Sequence, residues 1–167
     1  MMSRHLLVMR HAKSDWSASY SGDRERPLND RGVGAAKRVG RWLSTVGKQP
    51  DLIVSSPAVR ALTTAELAAE AGSWTAEIQV DARLYEGGVG AVTEALRELP
   101  DDVGCALVAG HLPTWPALVA TLSGGDLRMP TAAVACLRLR SSWSQLSPGS
   151  AELVWLVTPK LLAKSGF

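Results

Sequence analysis

The stretch LLVMRHA, residues 6–12, joins a strongly apolar segment to a charged end. Leu6 to Met9 are apolar in succession, without the polar alternation of a strand that has one face in water. Such a run is typical of a strand that is covered on both faces of a sheet. Arg10 and His11 follow it, and open α/β sheets bind their ligands at the carboxyl ends of the strands. The stretch therefore predicts a central strand of the sheet, with a ligand-binding site at the carboxyl end of that strand.

Strand-like segments alternate with helical ones along the rest of the chain. The further strand-like segments are DLIVSS (51–56), GCALVAGH (104–111), AVACLRLR (133–140) and AELVWLVT (151–158), with a short strand expected before RLYEGG (83–88). The spacing of apolar residues predicts helices over residues 30–46, 57–72, 88–100 and 112–125. This order predicts a three-layer α/β/α sandwich around a mainly parallel, mixed sheet, whose last two strands can pair as an antiparallel hairpin. We expect residues 1–167 to form one domain.

The composition is that of an ordinary globular protein and argues against several functions. Hydrophobic residues make up 46% and charged residues 20% of the chain, and the net charge is only +2. A role on nucleic acid or at a membrane surface therefore has little electrostatic support. No segment reaches the ~18 apolar residues of a membrane span, and the N-terminus lacks a signal-peptide pattern, so the cytoplasm is the expected compartment. Cys105 and Cys136 lie in apolar segments and are interpreted as reduced, buried thiols.

The predicted topology collects basic side chains at one edge of the sheet. Arg10 and His11 end the first strand, and His111 ends the segment GCALVAGH. Arg60 falls in the first turn of the helix after DLIVSS, for which Ser56 is the expected N-cap. Because parallel strands end at the same edge, we expect the two arginines and the two histidines to converge there.

Two arginines, two histidines and a helix N-terminus form a site suited to an anion, and to phosphate in particular. A neutral histidine can attack phosphorus as a nucleophile, and a second histidine can donate a hydrogen bond to a phosphate oxygen. The sequence has neither a G-x-x-x-x-G-K-[ST] nucleotide-binding loop nor a cluster of histidine, cysteine and carboxylate residues with metal-ligand spacing. We therefore expect a reaction on a phosphate group that needs no metal ion or cofactor and continues in a chelator.

Several motifs together resemble the histidine phosphatase superfamily. They are RHA (10–12), SSPAVRALTTAE (55–66) and the GH pair at 110–111, in the order and spacing of that family. The usual first motif of the family is Arg-His-Gly. Ala12 in place of its glycine, the short chain and the segment DRERPLNDRG (23–32) are similar to the small SixA-like branch of phosphohistidine phosphatases. The methyl group of Ala12 either crowds the approach of phosphate to the backbone or is tolerated in this branch.

The resemblance implies a role for each residue that we expect at the sheet edge. His11 would be the nucleophile and would become transiently phosphorylated. Arg10, Arg60 and His111 would form the phosphate pocket around it. For the SixA-like branch, the resemblance also implies a phosphohistidine-bearing protein as the substrate, and hence a place in phosphoprotein signalling.

The polar loop after the first strand contributes further candidates. Arg26 matches a basic position near the pocket of SixA-like proteins, and the alternative is a surface pair with Asp23 or Glu25. Ser14 either offers a hydroxyl or amide to the phosphate or is an ordinary loop serine. Trp16 either lines the mouth of the site or caps the core.

Glu86, in RLYEGG, is the candidate proton donor, because many phosphatases of this superfamily protonate the leaving oxygen with a carboxylate. The alternative is a solvated loop glutamate. A phosphohistidine releases an imidazole, which leaves easily, so help from a general acid (about 10²–10⁴-fold in typical cases) matters less than for an alkoxide. A weak contribution from Glu86 would therefore favour phosphohistidine over alkyl phosphates.

The short segment between Arg60 and Gly88 leaves little material for a lid over the pocket. An open pocket suits a phosphorylated side chain on a protein surface. The alternatives are a phosphatase for small phosphomonoesters or a mutase, and a mutase would need more basic groups and an enclosed cavity. A non-catalytic phosphate-recognition module is the remaining alternative, and loss of His11 would be its expected mark.

Overall fold

The strands form a single mixed sheet in the computed structural model, which describes residues 2–167. In chain order they are β1 (His5–Arg10), β2 (Leu52–Ser55), β3 (Glu77–Val80), β4 (Cys105–Gly110), β5 (Val134–Leu139) and β6 (Ala151–Val157). Their order across the sheet is β3-β2-β4-β1-β5-β6. The pairs β3-β2, β2-β4 and β4-β1 are parallel, whereas β5 is antiparallel to both β1 and β6. The predicted antiparallel pairing of the last two strands is confirmed.

Helices cover both faces of this sheet. They are α1 (Asp30–Thr45), α2 (Val59–Gly72), α3 (Arg83–Glu86), α4 (Val89–Arg97), α5 (Thr114–Ser123) and α6 (Pro159–Lys164). Leu7 and Met9 of β1 share one apolar core with α1, α2 and α6, while Leu6 and Val8 share the other with α3, α4 and α5. All four of these β1 side chains are fully buried. The two cores confirm the three-layer α/β/α arrangement.

The ends of α1 follow from local chemistry. The side chain of Asn29 accepts a hydrogen bond from the backbone N–H of Gly32 at 2.9 Å, which is the usual N-cap interaction. Two residues past the end of the helix, Gly47 has a φ of 69°, in the left-handed region that glycine adopts without strain. The prediction of a helix over residues 30–46 is therefore correct to within one residue.

The start of α2 differs from the prediction. Ser56 is not its N-cap, because the helix begins at Val59. The hydroxyl of Ser56 instead accepts a hydrogen bond from the backbone N–H of Ala58 at 3.2 Å, in the turn that precedes the helix. The sequence patterns also missed α6, a six-residue helix whose N-terminus is capped by the side chain of Thr158.

Both cysteines are free thiols on central strands. Cys136 of β5 is fully buried, and Cys105 of β4 is half-buried. Burial raises the pKa of Cys105 to about 12 and that of Cys136 to about 11, so both stay protonated and unreactive at neutral pH. Within residues 2–167, no helix has both the length and the apolar character that crossing a bilayer requires.

The packing of α1 on α2 depends on a glycine and can be tested with a matched pair of variants. A Cβ atom on Gly40 of α1 would lie 2.1 Å from the carbonyl oxygen of Ala68 in α2, whereas one on Gly34 would meet nothing within 4 Å. Gly40→Ala should therefore lower the free energy of unfolding by about 1–3 kcal/mol. Gly34→Ala should raise it by about 0.5–1 kcal/mol, because glycine within a helix has a higher entropic cost. Urea unfolding measures both, and equal shifts would contradict the close helix contact.

Candidate active site

The parallel strands bring the predicted residues to one edge of the sheet. β1 pairs with β4 so that Arg10 lies opposite Gly110. The next residues along each strand, His11 and His111, are therefore neighbours, and their ring centroids are 5.3 Å apart. The convergence expected from the strand order is present.

Hydrogen bonds from α2 fix the backbone around His11. The N–H of Ala12 donates to Oγ1 of Thr64 at 2.9 Å, and that hydroxyl donates to the carbonyl oxygen of Arg60 at 2.6 Å. The methyl group of Ala12 is fully buried in the core beneath α1 and α2. The structure therefore favours the interpretation that alanine is tolerated at this motif position.

The ring of His11 is held in one tautomer. Its Nδ1 lies 2.7 Å from the carbonyl oxygen of Ala12. A carbonyl oxygen can only accept, so Nδ1 carries the hydrogen and Nε2 keeps its lone pair. Burial lowers the pKa of His11 to about 4, and the positive charges of Arg60 and Arg10 act in the same direction. At neutral pH the ring is uncharged, which is the state that a nucleophile needs.

The second histidine is fixed by a serine that sequence reasoning did not assign to the site. Nε2 of His111 lies 2.7 Å from Oγ of Ser56. Its other ring nitrogen, Nδ1, is buried and has no hydrogen-bond partner among residues 2–167. Burial lowers the pKa of His111 to about 3, and the charge of Arg60 adds to this effect. This ring is therefore also neutral at physiological pH.

The polar loop places Arg26 and Ser14 in the cavity beside His11. Arg26 is only 5% exposed, and its Nε donates to Oγ of Ser14 at 3.0 Å. Its guanidinium carbon lies 3.7 Å from the ring centroid of Trp16, which is 72% exposed. Trp16 therefore lines the mouth of the site, and the interpretation that it caps the core is wrong. The cavity has a volume of about 240 Å³, and its walls are formed by Arg10, His11, Lys13, Ser14, Trp16, Arg26 and Thr131.

Asp23 connects the basic groups, whereas sequence reasoning considered it as a surface partner and not as part of the site. Its carboxylate accepts hydrogen bonds from Arg26, from Nη2 of Arg60 at 2.9 Å and from the hydroxyl of Tyr85 at 3.0 Å. Burial alone would raise the pKa of Asp23, but these hydrogen bonds outweigh it and lower the pKa to about 2. The pair of Arg26 with Asp23 does form, although Arg26 is buried against the cavity and not on an open surface.

The short helix α3 reaches the site through Tyr85. The ring centroid of Tyr85 lies 5.5 Å from that of His111, in an edge-on arrangement. The next residue, Glu86, is exposed at the end of α3 and makes no side-chain hydrogen bond or ion pair within the described part of the chain. The role of Glu86 as a proton donor stays a prediction. No sequence motif identifies Tyr85 as a site residue. The only signal was its position next to Glu86, the candidate proton donor.

The site carries a net positive charge that matches a phosphate group. Arg10, Arg26 and Arg60 supply three charges, Asp23 removes one, and both imidazoles are neutral. A phosphoryl group carries a charge of about −1.5 to −2 at neutral pH. Among residues 2–167, no three or more His, Cys, Asp or Glu side chains are grouped to hold a metal ion. The arrangement can therefore bind an oxyanion and present a nitrogen lone pair to it.

Similar proteins are known over nearly the whole chain. SixA from Nakamurella multipartitia has 31% sequence identity and a TM-score of 0.84, over 94% of this chain and 96% of that one. The protein histidine phosphatase SixA in complex with tungstate has 28% identity and a TM-score of 0.83, over 95% of this chain and 99% of that one. An uncharacterised protein of Mycobacterium tuberculosis is 35% identical over 164 residues, which are 91% of this chain and 100% of that protein.

The chain also matches the model of a protein family. The model of the histidine phosphatase superfamily (branch 1) matches residues 6–127, a range that contains β1 apart from its first residue, and all of α2 and β4. These are the elements that position Arg10, His11, Arg60 and His111. With this match and its similarity to SixA structures, the chain belongs to the histidine phosphatase superfamily.

Proposed function

We propose that this protein hydrolyses phosphohistidine on proteins, through a covalent phosphohistidine intermediate on His11. The observation that carries the proposal is the 2.7 Å hydrogen bond between His11 Nδ1 and the Ala12 carbonyl oxygen, because it leaves Nε2 with a free lone pair. Family membership supports a phosphatase activity in general. The similar SixA structure that contains tungstate supports oxyanion binding by this fold, since tungstate is a tetrahedral oxyanion like phosphate.

The reaction proceeds in two displacements at phosphorus. In the first, Nε2 of His11 forms a bond to phosphorus, and the substrate nitrogen leaves with the electrons of its own bond to phosphorus. That imidazole then takes up a proton. In the second, water attacks the phosphorus on His11, and inorganic phosphate leaves with the neutral ring restored. The guanidinium groups of Arg10, Arg26 and Arg60 bind the phosphoryl oxygens and stabilise the charge that develops on them.

Asp23, Ser14 and Ser56 position these groups. Asp23 accepts from both Arg26 and Arg60, so it sets the angle between their guanidinium planes. Ser14 accepts from Nε of Arg26, while Ser56 holds the ring of the second histidine. Because charged donors are effective only when they are already aimed at the reacting group, these contacts prepare the pocket before substrate arrives.

The environment of the carboxylates favours a substrate with a good leaving group. Asp23, with a pKa of about 2, is ionised at neutral pH and has no proton to give. Glu86 is exposed, so its proton-donor role rests on the family resemblance. An imidazole leaves without strong acid assistance, whereas an alkoxide needs it. A broad activity on small phosphomonoesters is the second candidate, and it requires Glu86 to act as that acid.

Substrate class can be tested by measuring phosphate release in EDTA. We expect turnover of a phosphohistidine peptide to exceed that of a matched phosphoserine peptide by at least about 100-fold, since only the latter needs a general acid. His11→Ala should abolish turnover, and Glu86→Gln should lower it less than tenfold on phosphohistidine.

Two other outcomes of the same assay would favour the alternative functions. Comparable turnover of phosphoserine, lost in Glu86→Gln, would show a broad phosphomonoesterase. Binding of the phosphohistidine peptide without any turnover by the wild type would show a recognition module and overturn the proposal.

The protonation of the two histidines can be measured by NMR of ¹⁵N-labelled protein between pH 7.5 and 4. Both pKa values are lowered, His11 to about 4 and His111 to about 3, so both rings should stay neutral as the pH falls through 6.5. Saturating inorganic phosphate should raise the pKa of His11, because a nearby anion favours the imidazolium form. Titration of His11 near 6.5 without phosphate would contradict its burial among arginines.

The proposed positioning role of Asp23 can be tested by substitution. Asp23→Asn keeps an acceptor oxygen but loses the charge that holds Arg26 and Arg60, so kcat on a phosphohistidine peptide should fall by about 10- to 100-fold. Tyr85→Phe removes a single hydrogen bond to the same carboxylate and serves as the milder control. A kcat for Asp23→Asn equal to that of the wild type would show that the arginines are held by other contacts.

A further inference from the structure

A second, larger cavity adjoins the candidate active site. It has a volume of about 730 Å³ and lies between α1, the start of α6 and residues 130–131. Lys13 and Thr131 line both this cavity and the one beside His11. The two cavities therefore meet at these residues, and a chain that occupies one of them can continue into the other.

This second cavity is lined by positively charged side chains, and we call it the basic groove. Lys13, Arg31, Arg38 and Lys160 contribute side chains to it, and no aspartate or glutamate does. None of the four forms a salt bridge with a carboxylate side chain in the part of the chain that the structure describes. Lys13, Arg31 and Lys160 are exposed to solvent. Arg38 is half-buried, and its Nε donates to the main-chain oxygen of Phe167 at 2.7 Å. The groove thus presents three exposed charges, those of Lys13, Arg31 and Lys160, to a ligand.

The groove lies between two basic helices in a chain whose total charge is nearly balanced. At some other places on the surface, basic and acidic side chains form salt bridges, as Arg83 does with Asp81 and Arg138 with Glu152. By contrast, α1 and α6 together contain six basic residues and a single acidic one, Asp30. The net charge of the whole chain, +2, does not reveal this local excess of basic residues, because acidic residues elsewhere offset it.

We propose that the basic groove binds an acidic segment of the phosphoprotein substrate while its phosphorylated histidine occupies the cavity beside His11. This inference rests on the proposed function and adds a specificity site to it. The residues between the cations are small and apolar (Ala35, Pro130, Pro159 and Ala163), which suits an extended peptide. The lining contains no aromatic side chain, whereas sites for single-stranded nucleic acid use aromatic rings to stack bases. Protein is therefore the favoured ligand.

The test compares two charge-reversed variants of equal net charge. Arg31→Glu with Lys160→Glu changes the groove, and Arg41→Glu with Lys164→Glu changes exposed residues of the same two helices that do not line it. The substrates are a phosphohistidine peptide with flanking aspartates and glutamates, the same peptide with these residues replaced by serine and glutamine, and free phosphohistidine.

For the acidic peptide, we expect the groove variant to raise KM by about tenfold, since two favourable charge pairs become repulsive. The control variant should stay within about twofold of the wild type, and turnover of free phosphohistidine should be the same in all three proteins. Added salt should remove the wild-type preference for the acidic peptide, because screening weakens exposed charge pairs. An equal effect of both variants, or no preference for the acidic peptide, would overturn the proposal.

A binding measurement separates failure of the groove from failure of the proposed function. Fluorescence anisotropy of the labelled acidic peptide without its phosphate needs no turnover, and its affinity should fall in the groove variant alone. If the wild type binds this peptide but hydrolyses no phosphohistidine, the proposed function is wrong, whereas the binding of acidic peptides by the groove is supported. If a single-stranded oligonucleotide binds more tightly than the peptide and loses affinity in the groove variant, the ligand is nucleic acid and the inference is wrong.

Discussion

The position of β1, between β4 and β5, is the constraint on which the rest of the structure depends. Its four apolar side chains divide between the two cores, so the strand is buried on both faces and cannot slip by one residue without exchanging them. Its parallel register with β4 sets Arg10 opposite Gly110, and His11 and His111 come to lie together as a result. The hydrogen bond from the N–H of Ala12 to Thr64 then fixes this edge against α2, the helix that carries Arg60. The same strands thus build the core and the candidate active site.

Charge balance explains how several basic groups can be buried together in the site. Arg26 and Arg60 are only 5% and 6% exposed, and a buried guanidinium without a partner would be costly. Asp23 pairs with both of them, while the two histidines avoid charge altogether because burial keeps them neutral. The site therefore keeps enough positive charge for an oxyanion beside a neutral histidine nitrogen. The proposed nucleophile and the oxyanion-binding groups can share one pocket because their charges are arranged in this way.

The small size of the pocket bears on specificity. A cavity of about 240 Å³ with an exposed tryptophan at its mouth has room for one phosphorylated side chain but not for a longer peptide segment. Under the proposed function, contacts inside the cavity reach only the phosphorylated side chain, so discrimination between substrate proteins would fall to surfaces around it. The proposed role of the basic groove fits this requirement, because Lys13 and Thr131 line both cavities.

The sequence by itself determined the layers of the fold and the meeting of the basic groups of the site. Apolar runs such as residues 6–9 and the helical spacing of residues 30–46 are local signals, and the rule that parallel strands end at one edge then brings Arg10 and His111 together. Only the tertiary structure decided the contacts of Asp23, Ser56 and Tyr85, and the tautomer of His11. These depend on which polar atoms meet across the fold: the hydroxyl of Tyr85 and the carboxylate of Asp23 are 62 residues apart in the chain. The basic groove was hidden for the same reason, because charges cluster in space and not along the sequence.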